Sequence, residues 1–204
     1  MTLDLNIVLL GVAVFLLAGT IKGTVGMGLP ITSVGLLSQL IEPRTAVLMA
    51  VFPIFFSNIW QVYRSGDIMP SVRRYWVFAV ALAIAMFATT FLAPAISTAP
   101  LRVVLGSVIV LFAATNMAST PPALPARYDR LGQIVAGILS GISGGLTAIW
   151  APPMVIYFLS RRLDKDEFVR ASGLLFLSGS VPLVIGYIHN GLITAEVAQL
   201  SGLM

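Results

Sequence analysis

Polar positions are sparse along this chain, and their placement divides it. The charged residues bound seven uncharged runs, at 5–21, 23–41, 45–63, 75–101, 103–126, 131–160 and 171–195. Leu, Val, Ile, Ala, Phe and Gly dominate these runs, with no sustained alternation of apolar and polar positions. A bilayer-spanning helix needs roughly 18–20 such residues in succession, because inside hydrocarbon the backbone must satisfy its own hydrogen bonds. The pattern predicts helices throughout: an all-α, polytopic membrane helix bundle.

Single spans are expected at about 5–22, 24–41, 45–63, 76–97, 102–118 and 171–189. The run 131–160 does not fit one span. As one helix its 30 residues would reach about 45 Å at 1.5 Å per residue, against a hydrocarbon core of about 30 Å. Two full spans would need about 40 residues. The run also holds Gly144-Gly145 and Pro152-Pro153. Two short helices, broken or re-entrant and hinged at the glycines, are the expectation. The stretch GTIKGTVGMGLP at 19–30 interrupts the first apolar region in a similar way, with four glycines, a proline and a lysine.

Composition strengthens the membrane reading. The chain is 58% hydrophobic and 10% charged, where a soluble domain carries about 25% charged residues; its mean hydropathy is +0.97. MTLDLNIVLL has no basic residue before its apolar run and no small-residue cleavage site after it, so the first helix is expected to stay rather than to be removed. With zero cysteines there are no disulfides or thiolate metal sites, and no metal or cofactor is expected. The isoelectric point near 9.9 comes from dispersed basic residues, which suit orientation in a bilayer better than nucleic acid, so no nucleic-acid partner is expected. With the N-terminus outside, ten of the twelve Lys and Arg fall on the cytoplasmic side, leaving Arg44 and Arg102 outside. A multi-pass protein of the cell inner (plasma) membrane follows. Trp60, Tyr63 and Trp76 lie near span ends and read as interface anchors. RRLDKDE at 161–167 reads as a solvated loop. All the acids, from Asp4 to Glu196, border the apolar runs, so a buried carboxylate relay is not expected.

The two halves share a pattern. Laying GTIKGTVGMG (19–28) on GILSGISGGL (137–146) pairs Gly19, Gly23 and Gly26 with Gly137, Gly141 and Gly144. Farther on, Ala46 and Gly66 repeat the twenty-residue spacing of Ala171 and Gly191 after a seven-residue shift in register. Five apolar segments separate equivalent points, so the copies, 1–126 and 127–204, should run in opposite directions through the bilayer. Inverted repeats with interrupted helices at matching positions are typical of secondary transporters. The second copy is shorter, and a complete one would add about two helices, counted at span length.

These motifs carry a resemblance. G-x-x-x-G-x-x-G-x-G followed by proline at 19–30, the turn Tyr63-Arg-Ser-Gly-Asp-Ile68, and G-x-x-S-G-x-x-G-G with a downstream proline at 137–152 resemble the TauE/SafE sulfite exporter family. The resemblance spans nearly the whole chain. It departs from the family pattern at Gly144-Gly145, where many members have three glycines, and at Trp150-Ala-Pro-Pro153. It implies an anion permease, not an enzyme, with sulfite or another sulfur oxyanion or organosulfonate as the small-molecule substrate. The lipid bilayer is its surroundings, and a homo-oligomer is compatible with it.

The chemistry expected at the breaks is anion binding. A helix interrupted within a bilayer frees backbone N–H groups and the positive end of a helix dipole, and glycine allows close approach to them. Gly23, Thr24, Gly26 and Gly28 from the first copy, with Gly141, Ser143, Gly144, Gly145 and Thr147 from the second, are the candidate substrate contacts; Lys22 and Asn58 add a cation and an amide. The plainer readings are helix packing for the G-x-x-x-G glycines and snorkelling to the inner interface for Lys22. An alternative function is an intramembrane serine protease, from Gly141-Ile-Ser143-Gly144 and the single histidine, His189. Against it, the first copy carries Val25 where the second carries Ser143.

Overall fold

The computed structural model describes residues 5–117 and 121–203. Asp4, counted above among the bordering acids, lies outside them, as do the last residue of the span expected at 102–118 and the terminal Met204. The described residues form helices and no strand: α1 (Leu5–Val25), α2 (Leu29–Leu37), α3 (Pro43–Arg64), α4 (Met69–Thr90), α5 (Thr98–Met117), α6 (Asp129–Thr147), α7 (Ala151–Ser160), α8 (Lys165–His189) and α9 (Ala195–Leu203). This is an all-α membrane bundle. Four helices, Val8–Val25 within α1, α3, α4 and α8, are long and apolar enough to cross a bilayer.

Prolines set where helices begin. Pro30, Pro43, Pro70 and Pro152 each stand in a first helical turn, where the missing N–H costs nothing and the fixed φ suits the helix. Glycine ends two of them. Gly66 after α3 (φ 74) and Gly191 after α8 (φ 67) both take the left-handed conformation, which a Cβ disfavours and a helix C-terminus uses. Asp164 opens α8, its side chain accepting from the Glu167 N–H at 2.8 Å.

Packing centres on α4, which lies along α6 and α8, while α3 lies along α8 and α9. The α4–α6 contact is backbone-close. A Cβ at Gly137 would stand 2.9 Å from the Phe78 carbonyl, at Gly141 2.7 Å from that of Leu82, and at Gly145 2.8 Å from that of Met86. The spacing of four puts all three on one helix face. Pro53 inside α3 leaves the Met49 carbonyl without its helical donor; Ser201 of α9 supplies one at 2.8 Å. Outward, Leu16, Phe56, Ile84 and Val103 are more than half exposed, the surface expected against lipid chains.

The polar residues gather at opposite ends. At one, Arg74 pairs with Glu167 (2.6 Å) and Arg161 with Asp129 (2.9 Å), while Tyr75 and Tyr157 donate to the same two carboxylates. At the other, Arg44 donates to the carbonyls of Ala93 and Ile96, and Asn190 to that of Thr90. Segment 161–167 is therefore not simply a solvated loop. Arg161 and Glu167 tie α6 and α4 to α7 and α8, because the hydroxyls of buried Tyr75 and Tyr157 need acceptors there.

Candidate functional site

Two interruptions organise the interior. Between α1 and α2 the chain leaves the helix at residues 26–28, with Gly26 at φ 81 and Gly28 at φ 109. Between α6 and α7 it does so at 148–150, with Ala148 at φ 56. The second interruption does not fall at the glycines: Gly144 and Gly145 are helical and buried within α6. Helix α6 needs them to approach its neighbours, and the paired prolines fix the start of α7 instead. A Cβ at Gly144 would meet Met86 Cε at 2.5 Å and Trp150 Cβ at 2.9 Å.

The segments on either side meet at a small chamber lined by Lys22, Met27, Gly28, Asn58, Trp150 and Phe176 among others. It holds about 10 Å³, room for about one water. A larger cavity of about 430 Å³ adjoins it, lined by Gly19, Lys22, Gly23, Gly26, Ser57, Trp60, Gln61 and Arg64. Lys22 lines both.

Lys22 is buried, at 8% exposure. Its Nζ donates to Ser57 Oγ at 3.0 Å and to Asn58 Oδ1, and stands 5.6 Å from the centre of the Phe176 ring. Asn58 in turn donates to the Phe176 carbonyl at 3.1 Å. No carboxylate pairs with Lys22 among the described residues. Snorkelling is thereby corrected: the side chain turns inward because Ser57, Asn58 and an aromatic face receive it there. A buried amine with neutral partners and, among the described residues, no counter-ion would be stabilised in its charged form by an anion beside it.

The expected residues divide. Lys22, Gly28 and Asn58 share the chamber wall, and Lys22, Gly23 and Gly26 the cavity wall. Gly141 and Gly145 face α4. Ser143 donates to the Ser140 carbonyl, and Thr147 to that of Ser143 while accepting from the Ile149 N–H. Thr24 donates to carbonyls of its own helix. Trp150, Phe176 and Ser57 were not among the expected contacts. Trp150 is 1% exposed, and its buried Nε1 has no acceptor among the described residues. A tryptophan between an apolar run and a Pro-Pro pair was the available signal.

Backbone donors are unevenly supplied. The first turn of α2 lacks an N–H only at Pro30, whereas that of α7 lacks two, at Pro152 and Pro153. The dipole of α7 remains, but its donors are few. The protease arrangement finds no support: Ser143 is bonded within α6, and exposed His189 stacks edge-on against Phe91 at 5.6 Å. Among the described residues no group of three or more His, Cys, Asp or Glu gathers as a metal site.

The family model described as Sulfite exporter TauE/SafE matches residues 11–204. No curated protein and no solved structure matches the chain.

Proposed function

The chain belongs to the sulfite exporter TauE/SafE family, a family of membrane transporters, and from that premise we propose that it carries a small sulfur oxyanion or organosulfonate past Lys22. The observation that carries this reading is the placement of Lys22: a buried side-chain amine without a counter-ion among the described residues, shared by a wide cavity and by a chamber between two helix interruptions. In this reading the 430 Å³ cavity is the approach from the basic, cytoplasmic end, where Arg64 stands exposed. Gly26 and Gly28 let the backbone of the first interruption come close to the ion, and the N–H groups of α2 join Lys22 in holding it. Neutral partners hold the cation without cancelling it, so an anion is attracted yet free to leave.

The inverted repeat belongs to the same proposal. Aligning the two interruptions, rather than Gly26 with Gly144, pairs Gly19 with Gly141, Gly23 with Gly145 and Pro30 with Pro152. The downstream glycines, Gly66 and Gly191, share the left-handed conformation. The packing of α9 on α3 corresponds to that of α4 on α8 under exchange of the halves. Orientation with the basic end cytoplasmic, in the inner (plasma) membrane, follows from the distribution of Lys and Arg.

Uptake of radiolabelled sulfite, thiosulfate and sulfoacetate into proteoliposomes tests the reading. At least one should accumulate, and Gly26→Val, strained at φ 81, should abolish its flux with membrane insertion intact. No accumulation of any, or full flux through Gly26→Val, would count against it.

A further inference from the structure

Lys22 has a defined set of hydrogen-bond acceptors, and their number bears on its proton. The Ser57 hydroxyl donates to the Ile54 carbonyl at 2.9 Å, and the Asn58 amide N–H to the Phe176 carbonyl at 3.1 Å. Ser57 Oγ and Asn58 Oδ1 are thereby left as acceptors, and both receive Lys22 Nζ. A neutral amine has two N–H bonds to give, which matches; an ammonium has three. The third finds the Phe176 ring, 5.6 Å away at its centre, or an acceptor in the adjoining cavity. Lys22 and Arg64 are the only ionisable groups among the described residues lining the chamber and the 430 Å³ cavity, to which α2, α7 and α8 bring none. Arg64 is exposed, holds its charge permanently, and adds repulsion rather than a counter-ion. An anion in the cavity supplies what the ammonium lacks, and its departure leaves a buried charge without compensation.

Resting on the permease reading above, we infer that Lys22 is a proton-binding site that couples transport: its amine takes up one proton when the anion enters the cavity and returns it when the anion leaves. The proton comes from water in the cavity, forms the third N–H bond on Nζ, and goes back to water on the far side together with the anion. One proton and one anion therefore move in the same direction. The empty carrier resets with Lys22 uncharged, which a membrane interior favours. No carboxylate relay is needed.

Proteoliposomes loaded with a pH-sensitive dye, and held at zero membrane potential with valinomycin and equal potassium, test the coupling. The probes are radiolabelled thiosulfate and sulfoacetate, which hold no proton of their own near neutral pH, and sulfite, which can. Entry of the transported anion should acidify the lumen. An outside more acid by one pH unit should concentrate it about tenfold further, the equivalent of one proton's gradient. Lys22→Arg keeps a positive charge that cannot release its proton; its anion exchange, slower than the parent's, should lose that tenfold accumulation. The dye signal of the parent decides alone where Lys22→Arg fails to insert. Anion entry without acidification, no response to the pH gradient, or accumulation undiminished in Lys22→Arg would overturn the inference and leave the permease standing. Absence of flux for all three anions would instead remove the permease reading, and the inference with it.

Discussion

Gly141 and Gly23 each close a G-x-x-x-G, yet their surroundings are opposite. A Cβ on Gly141 would lie 2.6 Å from Ala85 Cβ and 2.7 Å from the Leu82 carbonyl, whereas one on Gly23 meets nothing within 4 Å. Alanine at 141 must push two backbones apart, and overpacking of this kind costs about 1–3 kcal/mol. Alanine at 23 only improves helix propensity, by up to about 1 kcal/mol. Thermal unfolding in detergent should show a clear loss for Gly141→Ala and none for Gly23→Ala. Equal losses would contradict the assignment of one glycine to packing and the other to a cavity wall. Spacing revealed that both glycines lie on a helix face, but not which neighbour that face meets, since α4 is distant in sequence from α6. For the same reason Lys22 was legible as a cation in an apolar run, while its inward turn depends on Ser57 and Asn58, thirty-five and thirty-six positions away.

Helix limits were legible where proline fixes them. The span expected at 45–63 is α3, which starts at Pro43, whereas the one expected at 171–189 starts six residues earlier, where Asp164 caps α8. The interruption within 131–160 was legible from length, but its position was not. Gly144-Gly145 drew attention as a hinge, whereas the pair is helical and the prolines at 152 and 153 decide the break. The charged cluster beyond α7 misled in a similar way, because Tyr75 and Tyr157 are buried hydroxyls that recruit its neighbours. Glu167 accepts from both Arg74 and Tyr75. Glu167→Ala would leave the Tyr75 hydroxyl unpartnered and should destabilise the α4–α8 contact by about 1–3 kcal/mol. Glu167→Gln keeps an acceptor and should recover about half of that loss. Chemical unfolding of the two variants against the parent measures the difference, and indistinguishable variants would show that the hydrogen bond contributes nothing.

Among the described residues a cavity of about 430 Å³ opens toward the basic end, and another of about 330 Å³ lies beside Arg102 and Gly106. From Arg64 the polar side chains of Gln61, Ser57 and Lys22 follow one another inward, and the path then narrows to the chamber walled by Trp150 and Phe176. Past that point Tyr187 donates to the Gly145 carbonyl and Arg44 closes on the carbonyls of Ala93 and Ile96. Under the proposed function, this arrangement would admit an ion from the basic side, as one step of alternating access. Everything in it converges on the ammonium of Lys22. Sulfite flux into proteoliposomes containing Lys22→Met, which keeps most of the apolar stem and removes the charge, is the most direct measurement. The account predicts flux at least about 100-fold below the parent, the cost of losing a buried charged partner, with insertion and thermal unfolding preserved. Undiminished flux in a correctly inserted Lys22→Met protein would contradict it.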